Sequence, residues 1–423
     1  MGKCTKACKR IGRIEDLKQI EGIMMVNFKK IMKDIAKYSV RAVYILESYI
    51  IPSNEKVILF ESSSGRNYAG SPRYIYEEMV NQGLDDEYKC VWSLSNTDIE
   101  IPGKAIKVKR SFFKYLFYTL RSGVWVLDSR HLYYLRKNKN TRYIQTWHGT
   151  PFKKLGLDMD VLDMSGNTDV ERYREDFKRN TREWQYLLSQ NEYSSEIFRK
   201  AFDFKGEMLE IGYPRNDVLF EKNNESDIAE IKEKLNIPKD RKVILYAPTW
   251  RDNQYTKAGE YKFASTMDFD ALHENFKDDF TLIVKFHYLV KDKSIDWSKY
   301  DDFIIECDEE WDIQELYLIS DIMITDYSSV MFDYAILKRP MIYFTYDIDD
   351  YTKNVRSFYF DIFEEAPGPK VETNEELIEL LKNFDVNAYN DEFGEKYRKF
   401  NEKYNQFDDG TASKKVVELI KGN

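Results

Sequence analysis

The 423-residue chain contains four histidines, and two of them stand directly after short apolar runs: His148 after Tyr143–Thr146 and His287 after Thr281–Phe286. A histidine at the carboxyl end of a parallel strand titrates near neutrality and can take a proton from a hydroxyl. A bond to a loop carbonyl is the plainer use of such a residue. Gly149, inside Trp147-His148-Gly149-Thr150-Pro151, lets a substrate approach the backbone closely, and Lys154 follows in the same stretch. Arg251, after the run Val243–Tyr246, carries a planar fork of donors that matches phosphate, with an ion pair to Asp252 as the competing use. Ser328 and Ser329 follow Asp326-Tyr327 at a polar turn between the apolar strand Ile322–Thr325 and a helix expected over Val330–Lys338. That is the carboxyl end of a strand in a βαβ unit, where open α/β sheets bind ligands and a helix start offers N–H groups to phosphate. The same serines could simply cap the helix. Arg215, in Tyr213-Pro214-Arg215-Asn216-Asp217, is a further cleft candidate, although this segment also makes a good turn and cap.

Several catalytic signatures are missing from the sequence: no phosphate-binding G-x-x-x-x-G-K-S/T loop, no G-x-S-x-G, no H-E-x-x-H and no strand-linked G-x-G-x-x-G. Asp347-Ile348-Asp349 is an acidic D-x-D of low specificity, and neither it nor Asp333 receives a role. Cys4, Cys8, Cys90 and Cys307 are too few and scattered for a disulfide framework, and Cys4/Cys8 lacks the partners of a zinc site. No metal or cofactor is expected.

Those residues need a scaffold, and the pattern from Lys56 onward supplies one. Short apolar runs at Val57–Phe60, Lys89–Ser93, Val124–Leu127 and Tyr143–Thr146 alternate with helical stretches, and Leu187–Ser189 and Glu210–Ile211 close a first half. A second half repeats the alternation with Val243–Tyr246, Thr281–Phe286, Phe303–Glu306 and Ile322–Thr325. Such βα alternation predicts an α/β fold of two Rossmann-like domains with parallel sheets facing a cleft. The expected division is 1–50, basic amphipathic helices; 51–219, amino-terminal domain; 220–395, carboxyl-terminal domain; and 396–423, a helical tail.

Net charge is −9, but residues 1–41 hold eleven Lys/Arg against four Asp/Glu. A basic arm on an acidic body points to an anionic surface. Nucleic acid is disfavoured, since no zinc-finger spacing, RNP-like motif or second basic patch accompanies the arm. Ile31, Ile35, Tyr38, Ala42, Ile45 and Tyr49 recur at helical spacing and predict an amphipathic helix lying in a membrane interface. No signal peptide and no charge-free span of membrane length is visible.

Taken together, WHGTPFKKLG at 147–156, IGYPRND at 211–217, LYAPTWRDN at 245–253, ITDYSSVMFDYAILKRPMIYFTYD at 324–347 and DDGTAS at 408–413 resemble the CDP-glycerol glycerophosphotransferase family of teichoic acid synthesis. The resemblance implies a GT-B-type architecture, an amino-terminal acceptor domain and a carboxyl-terminal domain binding CDP-glycerol. It implies transfer of glycerol phosphate to a hydroxyl of an undecaprenyl-diphosphate-linked acceptor, with release of CMP and without a metal. His148 would be the base, and His287, Arg251, Ser328 and Ser329 would steady the pyrophosphate. Asp326 would orient the turn or meet a donor hydroxyl, and Gly149, Thr150, Lys154 and Arg215 would contact acceptor or cleft. The enzyme would sit peripherally on the cytoplasmic face of the cell membrane, with self-association left open. CDP-ribitol as donor, a capsule-type product, a GT-B nucleotide-sugar transferase and a silent membrane scaffold are the competing readings. The amino end departs from the family's long polymerases, which carry a large extra domain there, and this points to a shorter enzyme that primes or extends.

Overall fold

The computed structural model describes residues 38–110, 113–132, 134–159, 169–249, 255–257, 260–261, 266–286, 295–308, 310–348 and 358–422. Two parallel sheets organise them. The first runs β3-β2-β1-β4-β5-β6-β7, from β1 (Asn54–Glu61), β2 (Lys89–Leu94), β3 (Ile106–Lys109), β4 (Ser122–Leu127), β5 (Arg142–Gln145), β6 (Tyr186–Ser189) and β7 (Glu207–Glu210). The second runs β12-β11-β8-β13-β14-β15, from β8 (Lys242–Tyr246), β11 (Phe280–Val284), β12 (Ile304–Glu306), β13 (Ile322–Thr325), β14 (Met341–Phe344) and β15 (Lys370–Val371). A two-stranded ribbon, β9 (Tyr255–Lys257) and β10 (Glu260–Tyr261), stands apart. In each large sheet the strand order reverses beside the first strand of the half, which opens a crevice there at the carboxyl ends of the strands.

The strands are buried on both faces, so their sequences are continuously apolar rather than alternating. Val57 and Leu59 of β1 pack into one core cluster and Ile58 and Phe60 into another. Likewise Val243 and Leu245 of β8 join one cluster, Ile244 and Tyr246 the opposite one. Sequence periodicity therefore identifies these runs, while β3, β15 and the ribbon are too short or too polar for that signal. Cys90 and Cys307 are buried free thiols, and burial pushes each up to about 12.

Helix α1 spans 38–50 of the described residues. Tyr44, outside the expected membrane-facing stripe, anchors it to the body, its hydroxyl bonded to Thr119 Oγ1 at 3.1 Å and to the Arg136 carbonyl at 2.9 Å. Tyr38 and Tyr49, expected on the apolar face, are exposed, as are Val40, Val43, Leu46 and Ile50. Residues 31 and 35 of that stripe lie outside the described residues.

The other helices are α2 (Gly70–Asn81), α3 (Phe113–Arg121), α4 (Val170–Thr181), α5 (Glu192–Ala201), α6 (Asp217–Glu221), α7 (Glu225–Lys234), α8 (Phe269–Phe276), α9 (Ile313–Ile319), α10 (Val330–Tyr334), α11 (Ile362–Glu365), α12 (Asn374–Lys382), α13 (Val386–Tyr404) and α14 (Ala412–Lys421), of which α2, α4, α9 and α10 reach the cleft. The expected boundaries shift where packing overrides composition. Helix α6 runs through 219/220, and its Val218 and Leu219 already belong to the second core. Helix α13 runs through 395/396 and packs Tyr389, Tyr397, Phe400 and Tyr404 on the second half, whereas α14 returns Val416, Val417 and Ile420 to the first. Expected tail residues are thus shared between both bodies.

The two crossings between the halves lie side by side. Asp408 Oδ1 accepts from the Tyr213 amide at 3.0 Å and from Asn216 Nδ2 at 3.4 Å, while its Oδ2 has no hydrogen-bond partner among the described residues. The Asp217 carboxylate accepts from the amides of Ala412 and Ser413 at 3.0 and 2.6 Å and holds the start of α14. Burial raises Asp217 to about 6, and burial with Asp333 nearby raises Asp408 to about 7. Asp408 therefore binds its proton more tightly folded than unfolded. Its contribution to stability is full below 3.8 and is lost as pH climbs through about 7. Thermal melts of Asp408→Asn should gain on the wild type as pH rises from about 5 to 8; a difference that does not change with pH would remove this account of the hinge.

Candidate active site

His148 follows β5 through a strained turn. Trp147 holds φ 54° and Gly149 φ 144°, the first an uncommon left-handed conformation for a bulky residue. Gln145 Oε1 accepts from the Trp147 amide at 2.9 Å, and the indole stacks on the imidazole with centroids 4.3 Å apart. A side chain at Gly149 would press on Arg215 Nη2 at 3.3 Å. His148 Nδ1 lies 2.9 Å from the carbonyl oxygen of Asp128. A carbonyl only accepts, so Nδ1 carries the proton and Nε2 keeps its lone pair.

Asp128 organises this wall in a second way. Its carboxylate accepts from Ser62 Oγ at 2.8 Å, Ser129 Oγ at 2.7 Å and the Ser63 amide at 2.8 and 3.0 Å. The turn it grips after β1 places Ser63, Ser64 and Gly65 at φ 49°, 59° and 80°. Asp128, Ser62 and Ser63 escape sequence reasoning, although Asp128 stands at the end of β4 as His148 stands beyond β5.

The facing wall comes from the second half. Ser329 begins α10 with helical backbone angles and no hydroxyl capping bond, and Ser328 Oγ is 3.5 Å from the Val330 amide. Capping therefore does not occupy the Ser329 hydroxyl. Asp326 is 1 % exposed and grips backbone, Oδ1 accepting from Thr249 N at 2.8 Å and Tyr327 N at 2.6 Å. Between the walls, Arg215 Nη2 donates to Asp333 Oδ2 at 2.6 Å, and Asn216 Nδ2 donates to Asp333 Oδ1 at 3.1 Å. Asp333 holds the guanidinium charged against the cost of burial. Burial pushes the Asp333 carboxyl above its usual range even against Arg215. Arg215 Nε has no hydrogen-bond partner among the described residues.

The His148 side chain is exposed within the cleft, where both halves face it. Desolvation there, with Arg215 adding to it and Asp128 opposing it, lowers its pKa below the ordinary 6.5. The imidazole is consequently neutral at physiological pH, the state a base requires.

Two cavities meet at His148. One, of about 320 Å³, is lined by Ser62, Asp128, His148 and Arg215 from the first half and by Lys285, Trp311, Gln314, Tyr317, Ser328 and Ser329 from the second. In it Gln314 Nε2 and Tyr317 Oη are buried without protein partners among the described residues. The other, of about 350 Å³, is lined by Trp147, Gly149, Thr150, Phe152, Tyr173 and Phe177, and shares His148, Pro248, Ser328 and Ser329. Thr150 is buried in a polar seam, donating to Gln190 Oε1 at 2.8 Å and accepting from Asn191 Nδ2 at 3.0 Å. Lys154 is half-buried nearby and lines neither cavity, and Asp347 is half-buried after β14. His287, Arg251 and Asp349 lie outside the described residues. Among the described residues no cluster of three His, Cys, Asp or Glu could hold a metal, and no helix is long and apolar enough to cross a membrane.

Residues 43–422 match the family model described as CDP-Glycerol:Poly(glycerophosphate) glycerophosphotransferase. The chain is 42 % identical over 424 residues to a teichoic acid poly(glycerol phosphate) polymerase of Staphylococcus epidermidis, covering 96 % of this chain and 58 % of that protein. It is 42 % identical over 375 residues to the protein of the same name from Bacillus spizizenii, covering 88 % of this chain and 94 % of that one. A teichoic acid glycerol-phosphate transferase of Staphylococcus aureus is 38 % identical, with 93 % and 99 % covered. Among solved structures, the wall teichoic acid polymerase TagF superposes with TM-score 0.83 at 41 % identity, over 93 % of this chain and 97 % of that one. A histidine-to-asparagine variant of TagF soaked with CDPG gives TM-score 0.84 at the same identity and coverage.

Histidine NMR tests the site electrostatics directly. His148 should titrate below 6.5, and Arg215→Gln should move its midpoint upward by removing a neighbouring positive charge. His131, which burial lowers to about 4, should stay put and serves as the internal control. An unmoved His148 midpoint would show that Arg215 does not act on it.

Proposed function

This chain belongs to the CDP-glycerol:poly(glycerophosphate) glycerophosphotransferase family, and on that premise we propose that it transfers glycerol phosphate from CDP-glycerol to a hydroxyl of a lipid-linked teichoic acid acceptor, releasing CMP. The observation that carries this reading is His148, its Nε2 lone pair left free by the bond from Nδ1 to Asp128 and its ring beside Ser328, Ser329 and Arg215. The acceptor oxygen attacks the phosphorus that bears glycerol, and its proton passes to Nε2. The bond from that phosphorus to the bridging oxygen breaks, and CMP leaves with the electron pair. Charge spreads over the phosphoryl oxygens during this exchange, so fixed donors and a fixed cation do most of the catalytic work. Arg215 and the two serine hydroxyls are those groups among the described residues, and the family resemblance adds Arg251 and His287.

Glycerol is favoured over ribitol by the relatives themselves. Those named for glycerol phosphate polymerisation or transfer reach 38–43 % identity, whereas those named for ribitol phosphate stand at 27–30 %. The Bacillus spizizenii relative, 94 % covered, is named a polymerase. The expectation that a polymerase needs a long extra domain therefore gives way, and chain extension fits this protein as well as priming.

Docking on the cytoplasmic membrane face is part of the proposal. Helix α1 exposes Val40, Val43, Leu46 and Ile50, and α3, joined to it through Tyr44 and Thr119, exposes Phe113 at 86 % and Phe117 at 48 %. These exposed apolar side chains, with the basic arm next to α1 in the sequence, suit an anionic lipid surface.

Two outcomes are expected. His148→Ala should lower CMP release by about 10²–10⁴-fold with CDP-glycerol affinity retained, and the wild-type kcat/KM should fall only below pH 6.5. Wild-type rates for the alanine variant would end the reading. Leu46→Glu with Phe117→Glu should weaken partitioning onto anionic vesicles by about tenfold or more; undiminished flotation would place membrane contact elsewhere.

A further inference from the structure

The second cavity meets the donor chemistry just described only at His148, Pro248, Ser328 and Ser329, and its remaining walls have no part in it. Its walls come mainly from the first half: Trp147, Phe152 and Met159 with Tyr173 and Phe177 of α4. Tyr173 and Phe177 are four residues apart and so share one face of that helix. The opposite face is different. Arg172, Asp176 and Arg179 line a separate cavity of about 680 Å³ together with Tyr38 and Arg41 of α1. One helix thus separates the exposed amphipathic helix from the chamber that ends at His148.

From this geometry we infer that the chamber beneath α4 receives the hydroxyl-bearing polyol phosphate end of the acceptor, and that Tyr173 is one of its binding residues. The inference rests on the proposed transferase reading. An in-line transfer needs its two substrates on opposite sides of the reacting phosphorus. The first cavity carries the strand-end residues of the second half, Lys285 and Trp311 among them, and suits the donor. The chamber shares only His148, Pro248, Ser328 and Ser329 with that cavity, so an acceptor hydroxyl held in it would meet Nε2 beside the donor.

The chamber's chemistry fits a polyol phosphate rather than a bare lipid chain. Aromatic faces pack against the C–H edges of a polyol, while Thr249, Ser328 and Ser329 give polar lining. Arg130 stacks on the same rings, its guanidinium carbon 5.1 Å from the Tyr173 centroid and 4.6 Å from that of Phe177. A lipid tail bound at α1 and a head group in the chamber would lie on the two sides of α4. Tyr173 is half-buried and its hydroxyl makes no hydrogen bond to a described residue, so its loss should leave the fold intact.

The test uses the full chain with CDP-glycerol as donor and a short synthetic oligo(glycerol phosphate) with a free terminal hydroxyl as acceptor. Tyr173→Ala should raise the KM for the oligomer by about tenfold and leave the donor KM and the calorimetric Kd for CDP-glycerol within about twofold. Met159→Trp, which fills the chamber instead of emptying it, should act in the same direction, with thermal melts confirming folded protein. Unchanged oligomer KM in both folded variants would overturn the assignment, as would an equal loss of donor affinity. If wild-type protein binds the oligomer but not CDP-glycerol, the donor reading fails separately. Loss of oligomer binding in Tyr173→Ala would still support the chamber.

Discussion

The ion pair between Arg215 and Asp333 is the constraint on which the site depends. It joins a residue of the first crossing to a helix of the second half at 2.6 Å, almost out of contact with water. A buried pair of this kind contributes little net stability over apolar packing, but losing one partner leaves the other charge stranded. What the pair secures is position. Arg215 is held where Gly149, Ser329 and the first cavity converge, and a side chain at 149 would both strain the backbone at φ 144° and press on its guanidinium at 3.3 Å.

Around that pair a polar seam runs from the catalytic turn to the hinge. Thr150 bonds to Gln190 and Asn191, Gln190 Nε2 donates to Asn405 Oδ1 at 2.8 Å, and Asn191 Nδ2 donates to the Tyr404 carbonyl at 2.6 Å. Asn405 in turn donates to the Phe332 carbonyl beside Asp333. The turn carrying His148 and the helix following Ser329 are therefore fixed to the same short stretch of chain. A second contact across the halves, Arg73 of α2 with Asp312 at 3.4 Å and Glu315 at 3.7 Å, braces the far side of the cleft. Strain at Trp147 and at Ser63–Gly65 is tolerable because Gln145 and Asp128 hold those turns from behind.

Much of this was legible in the residue order. Strands buried on both faces leave continuous apolar runs, so the two α/β halves stand out, and a histidine, a serine pair and a glycine at strand ends mark the cleft. Helices α4 and α5 and strand β3 were not recovered, because α4 is mostly charged and β3 has a single fully buried residue, Val108. The outward face of α1 carries Tyr38 and Tyr49 of the expected stripe, whereas its buried anchor Tyr44 lies outside that stripe and is identified only by its tertiary contacts. Asp128 was invisible because its decisive bond to His148 uses a backbone carbonyl, which every residue type possesses.

By itself, then, the sequence determined the family and the paired α/β scaffold, and it marked a histidine, a serine pair and a glycine at strand ends as candidate groups, all written as local patterns of residue type and spacing. Tertiary structure alone decided the tautomer of His148, the partner of Arg215, the division into two chambers and the sharing of the final helices between the halves. The reason is physical. Local patterns record which face of a segment avoids water, whereas these features depend on contacts between residues separated by tens to hundreds of positions, and only folding brings those together.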